Sequence, residues 1–191
     1  MLKEEFPHLI ITAGGPGATF SYNTILEKTE VDYCIIGEGE ITSRELLDNI
    51  SNPENVAGLA YIKNGKTVLT PCREQIKELD SIPLPDRSFF DIERYIQCNK
   101  TSEGQFKNFR ATNIIAGRGC PYNCTYCSKT FKGARFRSGT DIEREVKLIK
   151  KEFELDTIEF NDELVIVNKT RTLEICSLMK KNNLIWGARE G

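Results

Sequence analysis

The chain has no long apolar run and almost no excess charge. No stretch approaches the roughly 18 apolar residues of a membrane-spanning helix, and the first residues, with Lys3, Glu4, Glu5 and Pro7, lack the apolar core of an export signal. The expected location is therefore the cytoplasm, with no membrane span. A formal net charge of -2 speaks against a general nucleic-acid binder, whose affinity comes mainly from clustered positive charge. Histidine is nearly missing, His8 being the single one. Acid is also missing locally: Arg118 to Thr140 contains Arg118, Lys129, Lys132, Arg135 and Arg137 but no Asp or Glu. What remains is ordinary globular composition, 39% apolar and 28% charged over 191 residues, enough for one sizeable core or two small ones.

Seven cysteines is an odd number, and without export signals thiols are expected to be catalytic, metal-bound or simply reduced. Cys34 and Cys176 read as small core residues, and Cys72 and Cys98 lie in polar surroundings. The other three crowd into "CPYNCTYC", residues 120 to 127, inside the acid-free basic stretch.

Apolar runs and their punctuation give the organisation. "HLIITAGG" (8 to 15) predicts a strand buried on both faces, "YNTILEKT" a helix, and "VDYCIIGEGE" (31 to 40) a second strand. Thr42-x-x-Glu45 predicts a capping box, and Asn64-Gly65 between alternating runs predicts a two-residue hairpin. A proline-punctuated aromatic stretch follows and should pack against its neighbours. The pattern restarts with "ATNIIAGRG" (111 to 119), which runs into the cysteine loop. Thr140-x-x-Glu143 predicts another capped helix, with Ile142, Val146, Ile149 and Phe153 on one face. "DTIEFND" predicts a strand, residues 168 to 182 a helix, and "NLIWGARE" a last strand in which Trp186 packs in the core. The fold class is α/β, with ligand loops at the carboxyl ends of parallel strands, where both glycine clusters fall. The expected division is 1–75, a linker over 76–110, and 111–191.

Three thiolates at CxxxCxxC spacing reach one compact metal centre from a single loop. Structural zinc normally takes four ligands, and no fourth candidate is near in sequence, His8 included. A cubic four-iron cluster held by three thiolates leaves one iron open to a small molecule, and basic surroundings favour the thiolate form. Structural zinc with a distant fourth ligand remains the alternative. An electron-carrying cluster is another, with Cys98 as its fourth thiolate.

"CPYNCTYC" closing a strand at the head of a (βα) series resembles the radical S-adenosylmethionine (SAM) superfamily, whose motif is CxxxCxΦC with an aromatic residue at Φ, here Tyr126. The resemblance covers about residues 111 to 191. It implies that Cys120, Cys124 and Cys127 bind three irons of a 4Fe-4S cluster. The amino and carboxylate groups of SAM would chelate the fourth iron, and reductive cleavage would give a 5'-deoxyadenosyl radical. It further implies a partial (βα)6 barrel, of which this chain holds the first half, and an external electron donor of flavodoxin or ferredoxin type. Asp162 occupies the loop that contacts the SAM amino group in such proteins. Arg137 offers a guanidinium suited to the SAM carboxylate, and Arg189, at a strand end, offers a second cofactor contact.

"ITAGGPGATF", "DYCIIGEGE" and the hairpin resemble the doubly wound, Rossmann-like cobalamin-binding half that precedes the radical SAM domain in one subfamily. In those proteins the paired glycine matching Gly14 and Gly15 lets backbone approach the cobalamin tail, and the loop matching Gly37, Glu38 and Gly39 lines the same pocket. Gly17 stands where many members have histidine, and His8 is not the cobalt ligand by motif. The implied enzyme transfers methyl to an unactivated carbon of a small-molecule or lipid-like substrate, with cyclisation or rearrangement as the near alternative. Because the strand series stops in mid-pattern, these 191 residues are expected to hold only part of each cofactor site and to be inactive alone.

Overall fold

In the computed structural model, residues 2–101 and 107–188 are described. They form two compact units, 1–76 and 77–191. The stretch read as a linker belongs, from Lys77 on, to the second unit.

In the first unit a short helix α1 (Leu2–Glu5) precedes β1 (Thr12–Ala13), α2 (Gly15–Lys28), β2 (Tyr33–Ile35), α3 (Gly39–Asp48) and the hairpin β3 (Leu59–Lys63) and β4 (Lys66–Leu69). The sheet order is β1-β2-β3-β4. β1 and β2 are parallel, and β3 and β4 join antiparallel, so the sheet is mixed. Asn64 and Gly65 both have positive φ, 53° and 73°, as a two-residue hairpin turn requires. Two expectations are corrected. The strand over 8 to 15 shrinks to Thr12–Ala13, and Leu9 and Ile10 are exposed. Among the described residues β1 pairs only with β2. Thr42 does not cap α3, which starts at Gly39 behind the N-cap residue Glu38. It lies buried inside the helix and accepts from Arg73 Nε at 2.7 Å. The core gathers Leu46, Val56, Leu59 and Tyr61 on one side of the sheet, and Ala18, Leu26, Cys34 and Ala60 in a second cluster.

The second unit begins with a helix α4 (Ile92–Thr101), then β5 (Ala111–Ile114), β6 (Gly117–Arg118), β7 (Arg135–Phe136), α5 (Gly139–Phe153), β8 (Thr157–Phe160), α6 (Lys169–Lys181) and β9 (Ile185–Ala188). β5, β8 and β9 form a parallel sheet in that order, the product of two successive βα crossovers. Ile142, Val146 and Ile149 point inward from α5, and Ile175 and Met179 from α6, all at most 1% exposed, onto Ile158 and Phe160 of β8. Trp186 is half-buried and meets Phe160 edge to face at 5.6 Å. Cys176, expected in the core, is only half-buried on α6. The cap of α5 also shifts: Ser138, not Thr140, is the N-cap residue, and its hydroxyl accepts the Asp141 N–H at 3.1 Å. The register moved because the helix starts two residues earlier than the Thr-x-x-Glu signature suggests.

β5 is an edge strand. Its carbonyls at Arg110 and Ile114 accept from the Thr157 and Asn161 N–H groups on the β8 side. The carbonyls of Asn113 and Ile115 alternate with these, and they accept from Arg87 Nη2 (3.2 Å) and Arg137 Nη1 (2.8 Å). Glu145 of α5, 1% exposed, sits between the two guanidinium groups at 2.8 and 2.5 Å. Removing one member of a buried ion cluster strands the others without water. Glu145→Ala is therefore expected to lower the stability of the second unit by about 3 kcal/mol or more, read as a drop in urea midpoint. Arg144→Ala, which breaks the largely exposed side of the Arg144–Asp141 pair, should cost less than about 1 kcal/mol. Equal losses from the two would show that the buried cluster has no special weight.

Candidate functional site

The cysteine loop leaves the carboxyl end of β5 and returns before α5, and its neck is narrow. β6 and β7 pair antiparallel, Gly117 opposite Phe136 and Arg118 opposite Arg135. A Cβ on Gly117 would stand 2.6 Å from Phe136 Cδ1, and one on Gly119 would stand 2.1 Å from the Gly133 carbonyl oxygen. Gly119 also has φ +81°, so it is required both for space and for backbone shape. Three further groups fix the approach to this neck. The buried Asp162 carboxylate accepts the Ala116 N–H at 3.0 Å, and the Ala116 carbonyl accepts from Arg137 N–H at 2.9 Å and from Arg171 Nη2 at 3.4 Å.

Within the loop Cys120 is half-buried, and Cys124 and Cys127 are exposed; no disulfide is present among the described residues. A turn brings Cys127 N–H to the Cys124 carbonyl at 3.1 Å, and Lys129 Nζ reaches the Cys120 carbonyl at 3.4 Å and Asn123 Oδ1 at 2.6 Å. Among the described residues no three His, Cys, Asp or Glu side chains are gathered tightly enough to hold one ion, so the three thiols share a loop without yet converging. The donor set nonetheless fits a thiolate-held cluster. All three sulfurs lie outside the core clusters on a short loop tied down at its neck, and metal binding commonly completes the folding of such a loop. Tyr126 is 90% exposed, and the neighbouring Cys124 charge, with smaller help from a hydrogen bond to Cys124, raises its phenol pKa.

The remaining sequence candidates fall in different settings. Arg137 has every guanidinium nitrogen engaged, by Asp141, Glu145 and the carbonyls of Ile115 and Asp141, which makes it an anchor of the loop exit. Asp162 lies at the end of β8, tied to the backbone at the loop entrance. Arg189 lies outside the described residues. In the first unit Gly14 is the N-cap residue of α2 and Glu38 that of α3, and neither helix has a side-chain cap. Gly15 (φ +85°) and Gly37 (φ +77°) would present a Cβ to open space. The Glu38 carboxylate accepts the Ile76 N–H at 2.7 Å. Sequence reasoning missed the neck glycines, although glycines at 117, 119 and 133 around three cysteines are a legible sign of a pinched loop. It also missed Arg87 and Arg171, whose partners are remote in sequence and leave no local signal.

No protein-family model matches the chain. It is 32% identical over 185 residues to an uncharacterized methyltransferase of Pyrococcus horikoshii, covering 93% of this chain and 38% of the relative. It is 28% identical to an anaerobic magnesium-protoporphyrin IX monomethyl ester cyclase of Rubrivivax gelatinosus, covering 97% of this chain and 34% of that protein. The cobalamin-dependent radical SAM methyltransferase TokK of Streptomyces tokunonensis is 29% identical over 66% of this chain and 19% of its own length. In fold the chain is similar to the radical SAM methyltransferase TsrM of Kitasatospora setae, solved with cobalamin and a [4Fe-4S] cluster, with a TM-score of 0.68 at 15% identity, covering 94% of this chain and 37% of that one. The relatives named are thus methyltransferases, one of them a cobalamin-dependent radical SAM enzyme, and an anaerobic cyclase, and the likeness to TsrM extends to the α/β fold with parallel strands. The chain spans little more than a third of the first relatives it matches.

Burial raises the Asp162 pKa from 3.8 to about 6, against the opposing pull of the Ala116 and Gly117 N–H groups. The native protein thus holds this proton more tightly than the unfolded chain does. The resulting stability is full below about 3.8 and is lost as pH rises through about 6. Asp162→Asn keeps an oxygen for the Ala116 N–H but cannot ionise. Its urea midpoint is expected to change less between pH 4 and 7 than that of the unaltered protein, and parallel pH profiles would remove Asp162 from this role.

Proposed function

We propose that the chain is part of a cobalamin-dependent radical SAM enzyme in which Cys120, Cys124 and Cys127 hold a 4Fe-4S cluster and the loops at Gly14–Gly15 and Gly37–Gly39 receive cobalamin. The observation that carries this reading is the cysteine loop itself, three thiols within eight residues projecting from the carboxyl end of a parallel strand, where α/β folds bind ligands. When bound, a cluster with one iron open supplies an electron to chelated SAM and so generates a 5'-deoxyadenosyl radical. The chain's own contribution is placement. The neck at Gly117–Gly119 fixes where the thiols emerge, and Arg137 and Arg171 hold its backbone on the sheet. The basic, acid-free stretch around the cysteines suits the negative charge that a thiolate-held cluster would carry. Tyr126, exposed beside Cys124, would stand next to a cluster held by the three thiolates.

Two uncapped helix N-termini, those of α2 and α3, sit at the carboxyl ends of the adjacent parallel strands β1 and β2. Their positive dipole ends suit a phosphate-bearing tail, and open space where a Cβ would stand on Gly15 and Gly37 lets such a group approach backbone. Methyl transfer to an unactivated carbon is the reaction we assign, in line with the relatives named as methyltransferases. Cyclisation is the second reading, favoured by the likeness to the anaerobic cyclases. An external flavodoxin- or ferredoxin-type protein would supply the electron.

Anaerobic reconstitution is expected to give a brown protein with about four irons per chain. Cys124→Ala should abolish the iron and Cys72→Ala should keep it. The electron paramagnetic resonance signal of the reduced cluster should change on adding SAM. An unchanged signal would favour an electron carrier, and colourless protein with stoichiometric zinc would favour a structural zinc site.

A further inference from the structure

Resting on the cobalamin reading above, we infer that the Thr19 hydroxyl is a positioning residue for that site: it clasps the two glycine loops together and sets the distance between them. Thr19 lies on α2 one turn beyond Gly15. Its Oγ1 donates to the Gly15 carbonyl at 2.9 Å and accepts the Gly37 N–H at 3.0 Å. A threonine inside a helix commonly bonds back to the carbonyl four residues earlier, and such a bond alone would be local. The second bond is not local. It crosses 18 residues, from helix α2 to the loop after β2.

The two bonds use the hydroxyl in complementary ways. Donating its only proton to Gly15 turns a lone pair toward Gly37, so each bond orients the group for the other. Gly37 is half-buried with φ +77°, a backbone shape that other residues rarely adopt, and its N–H needs an acceptor. No side chain of the glycines themselves can supply one. Without the hydroxyl the Gly37 loop loses its tie to α2, and the two uncapped helix ends no longer share a fixed spacing. The neighbouring Ala18 is 2% exposed, in the core cluster with Leu26, Cys34 and Ala60, so the helix holding Thr19 is itself firmly seated. The clasp thus ties the Gly37 loop and the first turn of α2 to a helix seated in that cluster.

The test uses Thr19→Val, which keeps shape and removes both bonds, and Thr19→Ser, which restores the hydroxyl. Hydroxocobalamin binding by equilibrium dialysis and hydrogen exchange at the Gly37 amide are measured on the full chain. Thr19→Val is expected to weaken hydroxocobalamin binding about tenfold and to speed Gly37 exchange by a similar factor, the size of a lost hydrogen bond between half-buried groups. Thr19→Ser should restore both. Faster Gly37 exchange with unchanged affinity overturns the positioning role, and so does no change in either. If the unaltered chain binds no hydroxocobalamin, the cobalamin reading fails and the positioning role with it. The exchange comparison then still shows whether the clasp joins the loops.

Discussion

A carboxylate with 1% of its surface exposed, Glu145, survives inside a protein only if cations replace the water it has lost. Arg87 and Arg137 do so, and each also reaches a carbonyl on the outer side of β5. One buried charge therefore joins four pieces of chain: the segment before α4, strand β5, the exit of the cysteine loop, and helix α5. The cluster substitutes for a neighbouring strand. It satisfies backbone acceptors that an edge would otherwise leave to water or to another chain. With β5 held in this way, the loop that begins at its carboxyl end has a fixed origin.

From that origin the site is organised by backbone more than by side chains. The β6–β7 neck depends on two glycines that approach Phe136 and Gly133 more closely than any side chain permits. Asp162 binds an N–H group at the entrance, and Arg137 binds carbonyls at both ends. Residues with charges suited to a cofactor are thus occupied in holding the loop. The thiols, by contrast, carry almost no structural duty, and that leaves them available to a metal. The first unit repeats the arrangement in smaller form, with Thr19 and Glu38 holding backbone near Gly15 and Gly37, where an added Cβ would meet open space.

Much of this was legible before any coordinates, for definite reasons. Hairpin and helix signals are local, and Asn64-Gly65 and the Ile142–Val146–Ile149 stripe appear as read, whereas the strand expected over 111 to 119 ends at Ile114 and Gly117–Arg118 pairs with Arg135–Phe136 instead. The errors were at ends, where several oxygens compete to cap one helix. Ser138 outcompeted Thr140 because its side chain sits at the turn where the backbone leaves extended geometry. Thr42 was drawn into the core by Arg73. At the site the three thiols were plain from spacing alone. The employment of Arg137 was not, since Glu145 lies eight residues away and only the fold shows that the intervening turn brings the two together. The strand expected over 8 to 15 shortens to Thr12–Ala13, and the apolar Leu9 and Ile10 that signal it stay exposed.

The occupied edge at β5 gives the second sheet a direction. With Asn113 and Ile115 already bound by arginine, another strand would have to displace a buried ion cluster to join there. At β9, by contrast, the described residues pair on one side alone. Among the described residues the two edges thus differ in kind: carbonyls along β5 are taken up by buried guanidinium groups, whereas β9 presents the edge that invites pairing.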